Sequence, residues 1–347
     1  MSLALISDDR YLEHDEASHP ENAARLRALH AMLQDDAALL SRLTQLPPRQ
    51  ADDAEICAAH DRQLLDQLNA IADSGGGWVD QETYILRQSV EIARLAAGGA
   101  LVAVDAVLSG KAEQSFALIR PPGHHATPST SMGFCLFNNA AIAAEFARSA
   151  YGLERVAIID WDVHHGNGTQ DIFAANPHVL YVSTHGWPLW PGSGHWREMG
   201  ERHGAGATLN LPLRALTGDM GFHRIFSETI VPALQRFKPE LVIISAGYDA
   251  HLQDPLGNLA LSTAGYANLA AIVYNLAGEC CDGRLVGLLE GGYNLDALAN
   301  SVSATLHTWL DAGRQPPLLS HDISHMPEPD ATWLINALKH DHPLLRG

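Results

Sequence analysis

Cysteine is scarce in this chain, whose 347 residues include only Cys57, Cys135, Cys280 and Cys281. No pair has the Cys-x-x-Cys spacing of a zinc site, and the four positions lack the density of a disulfide framework. The sequence therefore predicts free, buried thiols. It excludes a disulfide scaffold and a cysteine-ligated metal.

Long apolar stretches are missing as well. No run reaches the roughly 18 apolar residues of a transmembrane helix. The N-terminal segment MSLALISDDRYLEHDE turns acidic within eight residues, and it has neither the basic nor the long apolar region of a signal peptide. We therefore expect a soluble, cytoplasmic protein with no membrane partner.

Positive charge is also low. Lysine and arginine total 22 against 40 aspartate and glutamate residues, so the formal net charge is −18. Binding to a nucleic-acid backbone needs clustered basic side chains, and no basic stripe is present. This excludes nucleic acid as the expected partner, whereas the acidic balance is compatible with a cationic substrate.

Two common catalytic motifs are absent, the Gly-x-Ser-x-Gly nucleophile elbow and the Walker phosphate loop. Ser183 and Thr184 follow an apolar run without such an elbow. We interpret these two residues as ligands or structural residues rather than as nucleophiles.

Short apolar runs rich in β-branched residues recur along the chain, at 116–119, 155–159, 178–182, 207–211, 241–245 and 285–289. Such runs are typical of strands buried on both faces of a parallel sheet. Intervening segments, including 88–108 and 222–237, have helical apolar spacing. The alternation predicts a single doubly wound α/β domain over 1–312. The segment 313–347 begins Pro-rich and has a helical pattern at 331–339, and it is predicted to pack on the body or on another subunit.

Polar clusters follow five of these predicted strands: RPPGHHA, DWDVHHGNG, STHGWPLWPG, AGYDAHLQDP and EGGYN. In open parallel sheets, ligands bind outside the carboxyl ends of the strands. The five segments are therefore predicted to bring His, Asp, Tyr and Gly residues to one edge of the sheet.

The segment Asp160-Trp161-Asp162-Val163-His164 suggests a metal site. Alternate residues of an extended chain share a face, so Asp160, Asp162 and His164 are expected to point the same way. Asp249 follows a different strand. Two carboxylates and an imidazole suit a catalytic zinc that keeps a position open for water. The alternative is a solvated turn with structural histidines, and Asp249 makes that alternative weaker.

His124 and His125 follow Pro-Pro-Gly, which can form a tight turn that aims both rings into the crevice. An imidazole near the metal can move protons at neutral pH, and each ring needs an orienting partner. Asp160 and Asn167 are the candidate partners. An inert surface pair is the alternative.

Tyr293 follows Gly291-Gly292 at the last predicted strand exit. A phenol placed there can polarise an amide carbonyl and stabilise a developing oxyanion. The alternative is a loop tyrosine packed on the surface.

Taken in order, RPPGHHA, GFCLFNN, DWDVHHGNGTQDIF, STHGWPLWPGSG, SAGYDAHLQDPLGN and LEGGYN closely resemble the motifs of the zinc-dependent histone deacetylase family. The sequence looks most like the class II branch and its bacterial relatives. The resemblance covers about residues 1–310, and SHPENAARL resembles the family's first active-site loop. It implies the arginase/deacetylase fold, a single three-layer α/β/α domain with a central, mostly parallel sheet.

The resemblance also implies roles for individual residues. Zinc would lie on Asp162, His164 and Asp249. The catalytic residues would be His125 as general base and then acid, His124 as its electrostatic companion, Tyr293 as the carbonyl-polarising phenol, Asp160 behind His124 and Asn167 behind His125. Asn at 167 matches the class II form, whereas other members of the family have Asp.

An acyl-lysine tunnel and potassium sites are implied in the same way. Phe134 and Trp190 would form the tunnel walls, with the Gly133 backbone near the substrate amide. Trp190 departs from the more usual Phe or Tyr. One K⁺ would lie on Asp160, Asp162, His164, Ser183 and Thr184, and a second on backbone carbonyls around Phe173, Asn176 and Val179.

These features favour metal-dependent hydrolysis of an acylated amine, with acetate and a free amine as products. The main alternative is an acetylpolyamine amidohydrolase. A non-catalytic binding protein would require a broken ligand set, and an arginase-type manganese hydrolase would require further bridging aspartates. We also expect a homo-oligomer.

Leu256 bears on the choice of substrate. It stands where the resembling stretch of polyamine-selective relatives carries glutamate. An apolar rim offers a distant ammonium group no partner, so the sequence predicts acetyl-lysine-type substrates. Packing of the loop is the alternative role of Leu256.

Overall fold

A computed structural model describes residues 2–313 and 328–346. In this part of the chain the strands are β1 (Leu3–Ile6), β2 (Leu43–Leu46), β3 (Gly76–Trp78), β4 (Tyr84–Leu86), β5 (Gln114–Ala117), β6 (Val156–Asp160), β7 (Val179–Gly186), β8 (Thr208–Leu213), β9 (Leu241–Ala246) and β10 (Leu285–Leu289). The helices are α1 (Ala24–Asp35), α2 (Ala37–Leu40), α3 (Asp53–Ile56), α4 (Arg62–Asp73), α5 (Ser89–Leu108), α6 (Asn139–Tyr151), α7 (Asn167–Phe173), α8 (Asp219–Ile225), α9 (Val231–Phe237), α10 (Thr263–Cys281), α11 (Leu295–Leu310) and α12 (Thr332–Asp341).

Eight described strands form one parallel sheet in the order β2-β1-β5-β10-β9-β6-β7-β8. Strands β6, β9 and β10 are fully buried, as their apolar, β-branched sequences require. Helices cover both faces: α5 packs with α6, and α10 packs with α11, which also contacts α1. This confirms the predicted three-layer α/β/α domain with a parallel central sheet.

The six predicted strands all lie in this sheet, although β5 begins and ends two residues before the predicted 116–119. Strands β1 and β2 were not predicted. Strand β2 is a half-exposed edge strand that mixes polar and apolar residues, whereas β1 is a buried apolar run of four residues. The antiparallel pair of β3 and β4 was also missed. Its three-residue strands are too short to produce a clear alternation.

The predicted helices differ from the structure in one respect. The segment 88–108 forms α5, whose residues are buried almost all round. The segment 222–237 is interrupted, because a π-helical turn, Phe226–Ile230, separates α8 from α9. Pro232 lies at the start of α9 and lacks the N–H that a regular helix would use there.

The C-terminal helix α12 lies on the body of the same chain. Its Leu334, Ile335 and Leu338 are buried, and His342 Nε2 lies 2.8 Å from the carbonyl oxygen of Thr208 on β8. Most of the Pro-rich stretch, residues 314–327, lies outside the described residues. The domain boundary near 312 remains a prediction.

The four cysteines, all within the described residues, are free thiols. Cys135 and Cys281 are buried as predicted, whereas Cys57 and Cys280 are only half-buried. Across 2–313 and 328–346, no helix combines the length and apolar character needed to span a bilayer.

Candidate active site

The five strand exits singled out in the sequence belong to neighbouring strands. Strands β5, β10, β9, β6 and β7 are consecutive in the sheet and parallel. Their C-terminal segments therefore meet at one edge. Three of these strands are in direct register, because Asp160 at the end of β6 pairs with Ser183 of β7 and with Ser245 of β9.

Asp162, His164 and Asp249 come together at this edge. Each offers one ligand atom, and these atoms lie within 4.8 Å of one another. His164 Nδ1 is 3.2 Å from Asp162 Oδ1 and 3.3 Å from Asp249 Oδ2. Both aspartates are fully buried, and burial together with the charge of Asp162 raises the pKa of Asp249 to about 7.

This cluster fits a metal ion. Asp249 Oδ2 is buried and receives no well-directed hydrogen bond from the described residues, so an acceptor remains available for a cation. The absence of a side chain at Gly291 leaves space beside the two carboxylates. A Cβ at this position would overlap Asp249 Oδ2 and lie 2.6 Å from Asp162 Oδ2. The two buried carboxylates have oxygens within 4.8 Å of each other and repel each other when both are charged, and a cation between them removes that repulsion.

His124 is held by Asp160. Its Nδ1 lies 3.0 Å from Asp160 Oδ2, which also accepts the hydroxyl hydrogen bond of Tyr181 at 3.0 Å. Burial acts to lower the pKa of His124, but Asp160 and Asp162 outweigh it and raise that pKa well above its usual value. His124 is therefore the charged ring of the pair.

His125 is held by Asn167 instead, with 2.9 Å between Nδ1 and Asn167 Oδ1. Burial, followed by the neighbouring His124 and His164, holds the pKa of His125 well below its usual value. The ring is therefore neutral. Because Nδ1–H donates to the asparagine oxygen, Nε2 keeps a lone pair for a proton.

Tyr293 lies on the loop between β10 and α11. Its backbone N–H donates to Asp254 Oδ2 at 2.6 Å, and the Arg25 guanidinium lies 5.0 Å from the centre of its ring. Desolvation is the main reason why the pKa of Tyr293 lies well above 10, so the phenol keeps its proton. It is available as a hydrogen-bond donor.

A cavity of about 370 Å³ lies over these residues. Seven residues predicted from the sequence line it, namely His125, Gly133, Phe134, His164, Trp190, Leu256 and Tyr293. Gly133 has φ +56°, and a Cβ there would come 2.5 Å from His125 Cδ2 and 2.5 Å from Trp190 Cη2. The glycine is therefore required where the His125 and Trp190 rings meet.

The sequence analysis did not name the other lining residues individually. His19 and Pro20 lie in SHPENAARL and Leu189 lies in STHGWPLWPG, whereas Trp78, Gln81 and Glu82 come from a segment that the sequence analysis did not single out. Trp78 and Glu82 lie on or beside the hairpin of β3 and β4, which was missed because its strands are so short. The expectation of an apolar rim around Leu256 therefore needs correction, since a carboxylate residue, Glu82, lines the same cavity.

The two sets of residues predicted to bind potassium differ in how the structure arranges them. Asp160, Ser183 and Thr184 are adjacent, and Thr184 Oγ1 lies 3.4 Å from the Asp160 carbonyl oxygen. In the second set, the Asn176 N–H donates to the Phe173 carbonyl at 2.9 Å, and Val179 begins β7. That carbonyl is thus already engaged, and the second potassium site remains a prediction.

Four buried charged groups support the site but were missed. Arg25 donates to the carbonyl oxygens of Gly292 and Glu290 at 2.6 and 2.5 Å. Arg25 and Arg120 both pair with the fully buried Glu21. Arg25 and Glu21 both stand within SHPENAARL. Arg120 is 99 residues from Glu21, and Gly292 and Glu290 are 267 and 265 residues from Arg25, so these pairs have no linear signal.

Glu290 is the fourth such group. Its Oε2 accepts hydrogen bonds from Gly123 N–H at 2.6 Å and His124 N–H at 3.2 Å, and its Oε1 accepts one from Ser245 Oγ at 3.1 Å. One carboxylate therefore fixes the turn that presents both histidines. Its position directly before Gly291-Gly292-Tyr293 was the available clue.

Comparison with known proteins identifies similar chains. A family profile described as "Histone deacetylase domain" matches residues 19–309. A protein named "Probable deacetylase" from Archaeoglobus fulgidus is 41% identical over 298 residues, which are 85% of this chain and 82% of that protein. A "Histone deacetylase-like amidohydrolase" from Pseudomonas aeruginosa is 40% identical over 279 residues, covering 80% of this chain and 73% of that protein.

A solved structure is also similar over nearly the whole chain. It is described as "Crystal Structure of HDA15 HD domain", and its TM-score is 0.89 at 34% sequence identity. The match covers 99% of this chain and 96% of that chain.

Proposed function

The chain belongs to the histone deacetylase family, a family of deacetylases and amidohydrolases, and from this we propose that it is a zinc-dependent hydrolase of acylated amines. The observation that carries the proposal is the cluster of Asp162, His164 and Asp249 beneath a cavity that His125 and Tyr293 also line. Acetyl-lysine-type substrates are the proposed class, with acetate and a free amine as products.

Asp162, His164 and Asp249 would hold the zinc, because two carboxylates and one imidazole leave a further position open. When bound, the ion supplies Lewis acidity to the acyl carbonyl and to the attacking water. The acceptor left open on Asp249 Oδ2 supports this assignment.

His125 would move the protons. Its neutral ring has Nδ1 fixed on Asn167 and a free lone pair at Nε2, which can accept a proton from the attacking water. The same atom then donates that proton to the leaving amine. The charged His124, fixed by Asp160, would stabilise negative charge as the carbonyl is attacked.

Tyr293 would donate its phenolic hydrogen bond to the oxyanion. The buried ring keeps its proton, and the edge of Phe134 packs against it with 5.8 Å between ring centres. Phe134 and Trp190 would then guide the acyl-bearing chain, as the predicted tunnel requires. Gly133 would offer its backbone to the substrate amide.

An acetylpolyamine amidohydrolase is the second candidate, and one observation favours it. Glu82 lines the cavity and can pair with an ammonium group at the far end of a polyamine. Comparing kcat/KM of the zinc-loaded enzyme for an acetyl-lysine peptide, acetylputrescine and acetylspermidine decides between the two candidates. A higher value for either polyamine would overturn the lysine-type assignment and leave the zinc mechanism standing.

Potassium and oligomeric state are lesser parts of the proposal. We propose K⁺ at the first set of residues, which include Asp160, Ser183 and Thr184, and activity measured in KCl against NaCl tests it. The homo-oligomer and the cytoplasmic location stay predictions, tested by light scattering and by cell fractionation.

A further inference from the structure

Asp254 accepts backbone hydrogen bonds that its position in the sequence does not predict. It is nearly buried, and its Oδ2 accepts hydrogen bonds from the backbone N–H groups of Tyr293 at 2.6 Å and Asn294 at 3.0 Å. Its Oδ1 accepts a third from the N–H of Leu256 at 3.0 Å. One carboxylate therefore joins the loop after β9 to the loop after β10.

The loop that carries Tyr293 depends on such anchors. Gly291 and Gly292 precede the tyrosine, and Gly292 has φ +120°, a conformation that other residues rarely adopt. The Gly292–Tyr293 peptide unit is held at both ends, because Arg25 Nε donates to its carbonyl oxygen at 2.6 Å while Asp254 accepts from its N–H. Without Asp254, the N–H end of this unit would lose its protein acceptor.

Asp254 is itself tied to the metal-site loop. It follows Asp249 by five residues, and its backbone N–H donates to the His251 carbonyl at 2.9 Å. The loop closes further through the Leu261 N–H, which donates to the Ala250 carbonyl at 3.0 Å. The carboxylate thus sets the position of Tyr293 relative to Asp249.

We propose that Asp254 is the positioning residue for Tyr293. By fixing the backbone of Tyr293, it holds the phenol in the position relative to Asp249 that the reaction needs. This rests on the proposed function, in which Tyr293 donates to the oxyanion. Misplacement of a catalytic group by about 1 Å costs on the order of 100-fold in rate, so the anchor matters even though it does not touch the substrate.

A double-mutant cycle tests the proposal. Asp254→Ala should lower kcat by about 10-fold or more in the parent enzyme but less than about twofold in the Tyr293→Phe background, because the phenol is then already gone. Asp254→Asn keeps one acceptor oxygen, so its loss of kcat should lie between zero and that of Asp254→Ala. If Asp254→Ala does not fold, Asp254→Asn replaces it in the cycle.

Asp219→Asn is the matched control. Asp219, the first residue of α8, also accepts a backbone hydrogen bond from a distant segment, from Ser262 N–H before α10 at 2.8 Å, and no hydrogen bond joins it to Tyr293. The control should leave kcat within about twofold of the parent, as expected for a change that touches no group acting in the reaction.

A second readout needs neither zinc nor substrate. In protein labelled with 3-fluorotyrosine, the ¹⁹F resonance missing from Tyr293→Phe identifies Tyr293 among the eight tyrosines. Asp254→Ala should shift or broaden that resonance, and Asp219→Asn should not. An unchanged resonance, or the same fold-loss of kcat in both backgrounds, overturns the positioning role.

The cycle also separates failure of this inference from failure of the proposed function. If Tyr293→Phe alone keeps the parent kcat, the phenol has no catalytic role and the proposed mechanism falls with the inference. If Tyr293→Phe lowers kcat strongly but measurably, and Asp254→Ala lowers kcat by the same factor in both backgrounds, only the inference falls.

Discussion

The adjacent residues His124 and His125 have the same side chain but opposite pKa shifts. Their ring centres are 3.9 Å apart, yet His124 faces a carboxylate and His125 faces an amide. The pKa of His124 is raised and the pKa of His125 is lowered, so one ring carries charge and the other is free to accept a proton. Their partners, rather than the histidines themselves, decide this division.

His125→Ala should lower kcat by about 10²–10⁴, because it removes the group proposed to carry the proton. Steady-state kinetics of the zinc-loaded variant measure this. Cys57→Ala, a change at a half-buried thiol, should leave kcat unchanged. Normal turnover by His125→Ala would remove that ring from the mechanism, and a large loss in Cys57→Ala would point to thiol chemistry.

Leu256→Glu should shift selectivity toward acetylated polyamines, because a second carboxylate would join Glu82 at the cavity. A close charge pair is worth on the order of a few kcal/mol at an effective dielectric near 20. The measurement is the ratio of kcat/KM for acetylputrescine to that for an acetyl-lysine peptide. Leu256→Gln is the uncharged control, and an equal shift in both variants would show that charge is not the cause.

At the scale of elements, the active site depends on loops that follow neighbouring parallel strands, together with a buried charge network beneath them. Glu21 lies in the loop before α1, and Arg120 follows β5. Arg120 Nε is 2.5 Å from Glu21 Oε1, and Arg25 of α1 donates to the same oxygen at 3.1 Å. Arg25 then reaches the Gly292 carbonyl. The network therefore connects the first loop with the loop that carries Tyr293.

Glu21→Gln should destabilise the protein by about 3–5 kcal/mol at neutral pH, the usual cost of breaking a buried ion pair. Burial opposes ionisation of Glu21, but Arg120 and Arg25 outweigh it and lower its pKa from 4.5 to about 2. A lowered pKa gives stability that is fully present above about pH 4.5 and is lost as the pH falls toward 2.

Urea unfolding across this pH range measures the effect. The difference in free energy of unfolding between the parent and Glu21→Gln should shrink as the pH falls from 4.5 toward 2. Asp36→Asn, at an exposed helix cap, is a control expected to cost less. A difference that does not depend on pH would contradict the ionised pair.

The whole molecule should be stabilised by the metal proposed here. A ligand that binds only the folded state adds about 2.7 kcal/mol at a free concentration 100 times its Kd. Zinc should therefore raise the Tm of the metal-free protein, as measured by calorimetry. Asp249→Ala removes one of three ligands and should lose both the shift and stoichiometric zinc. Stoichiometric zinc with normal activity in that variant would rule out the assigned site.

At this scale, too, the C-terminal segment belongs to the body. Glu328 accepts hydrogen bonds from the N–H groups of Gly218 and Gly221 at the start of α8, and Lys339 pairs with Glu228 at 2.8 Å. Trp333 remains largely exposed and meets the edge of Trp196. The short helical pattern at 331–339 predicted that α12 exists, but not the surface on which it packs.

The sequence alone determined the order along the chain of the six strands β5 to β10 and the residues that follow them. Parallel strands buried on both faces need uninterrupted apolar runs, so β6, β9 and β10 were recognisable from local pattern. Their ends share one edge of the sheet by geometry, so the meeting of Asp162, His164 and Asp249 was predictable. For the same reason, His125 and Tyr293 line the cavity, whereas Phe134 and Trp190 were expected there only from the family resemblance.

Only the tertiary structure decided which of these side chains contact one another and how those contacts shift their pKa values. The contacts of Asp254 with Tyr293, of Glu290 with His124 and of Glu21 with Arg120 join residues 39 to 166 positions apart. Such pairs produce no local pattern in the sequence. The sequence also does not distinguish a carboxylate that will be buried from one that will be exposed. The hairpin that brings Glu82 to the cavity is also too short for its pattern to be read. Burial and contact distance set pKa values and fix side chains, and both exist only once the chain has folded.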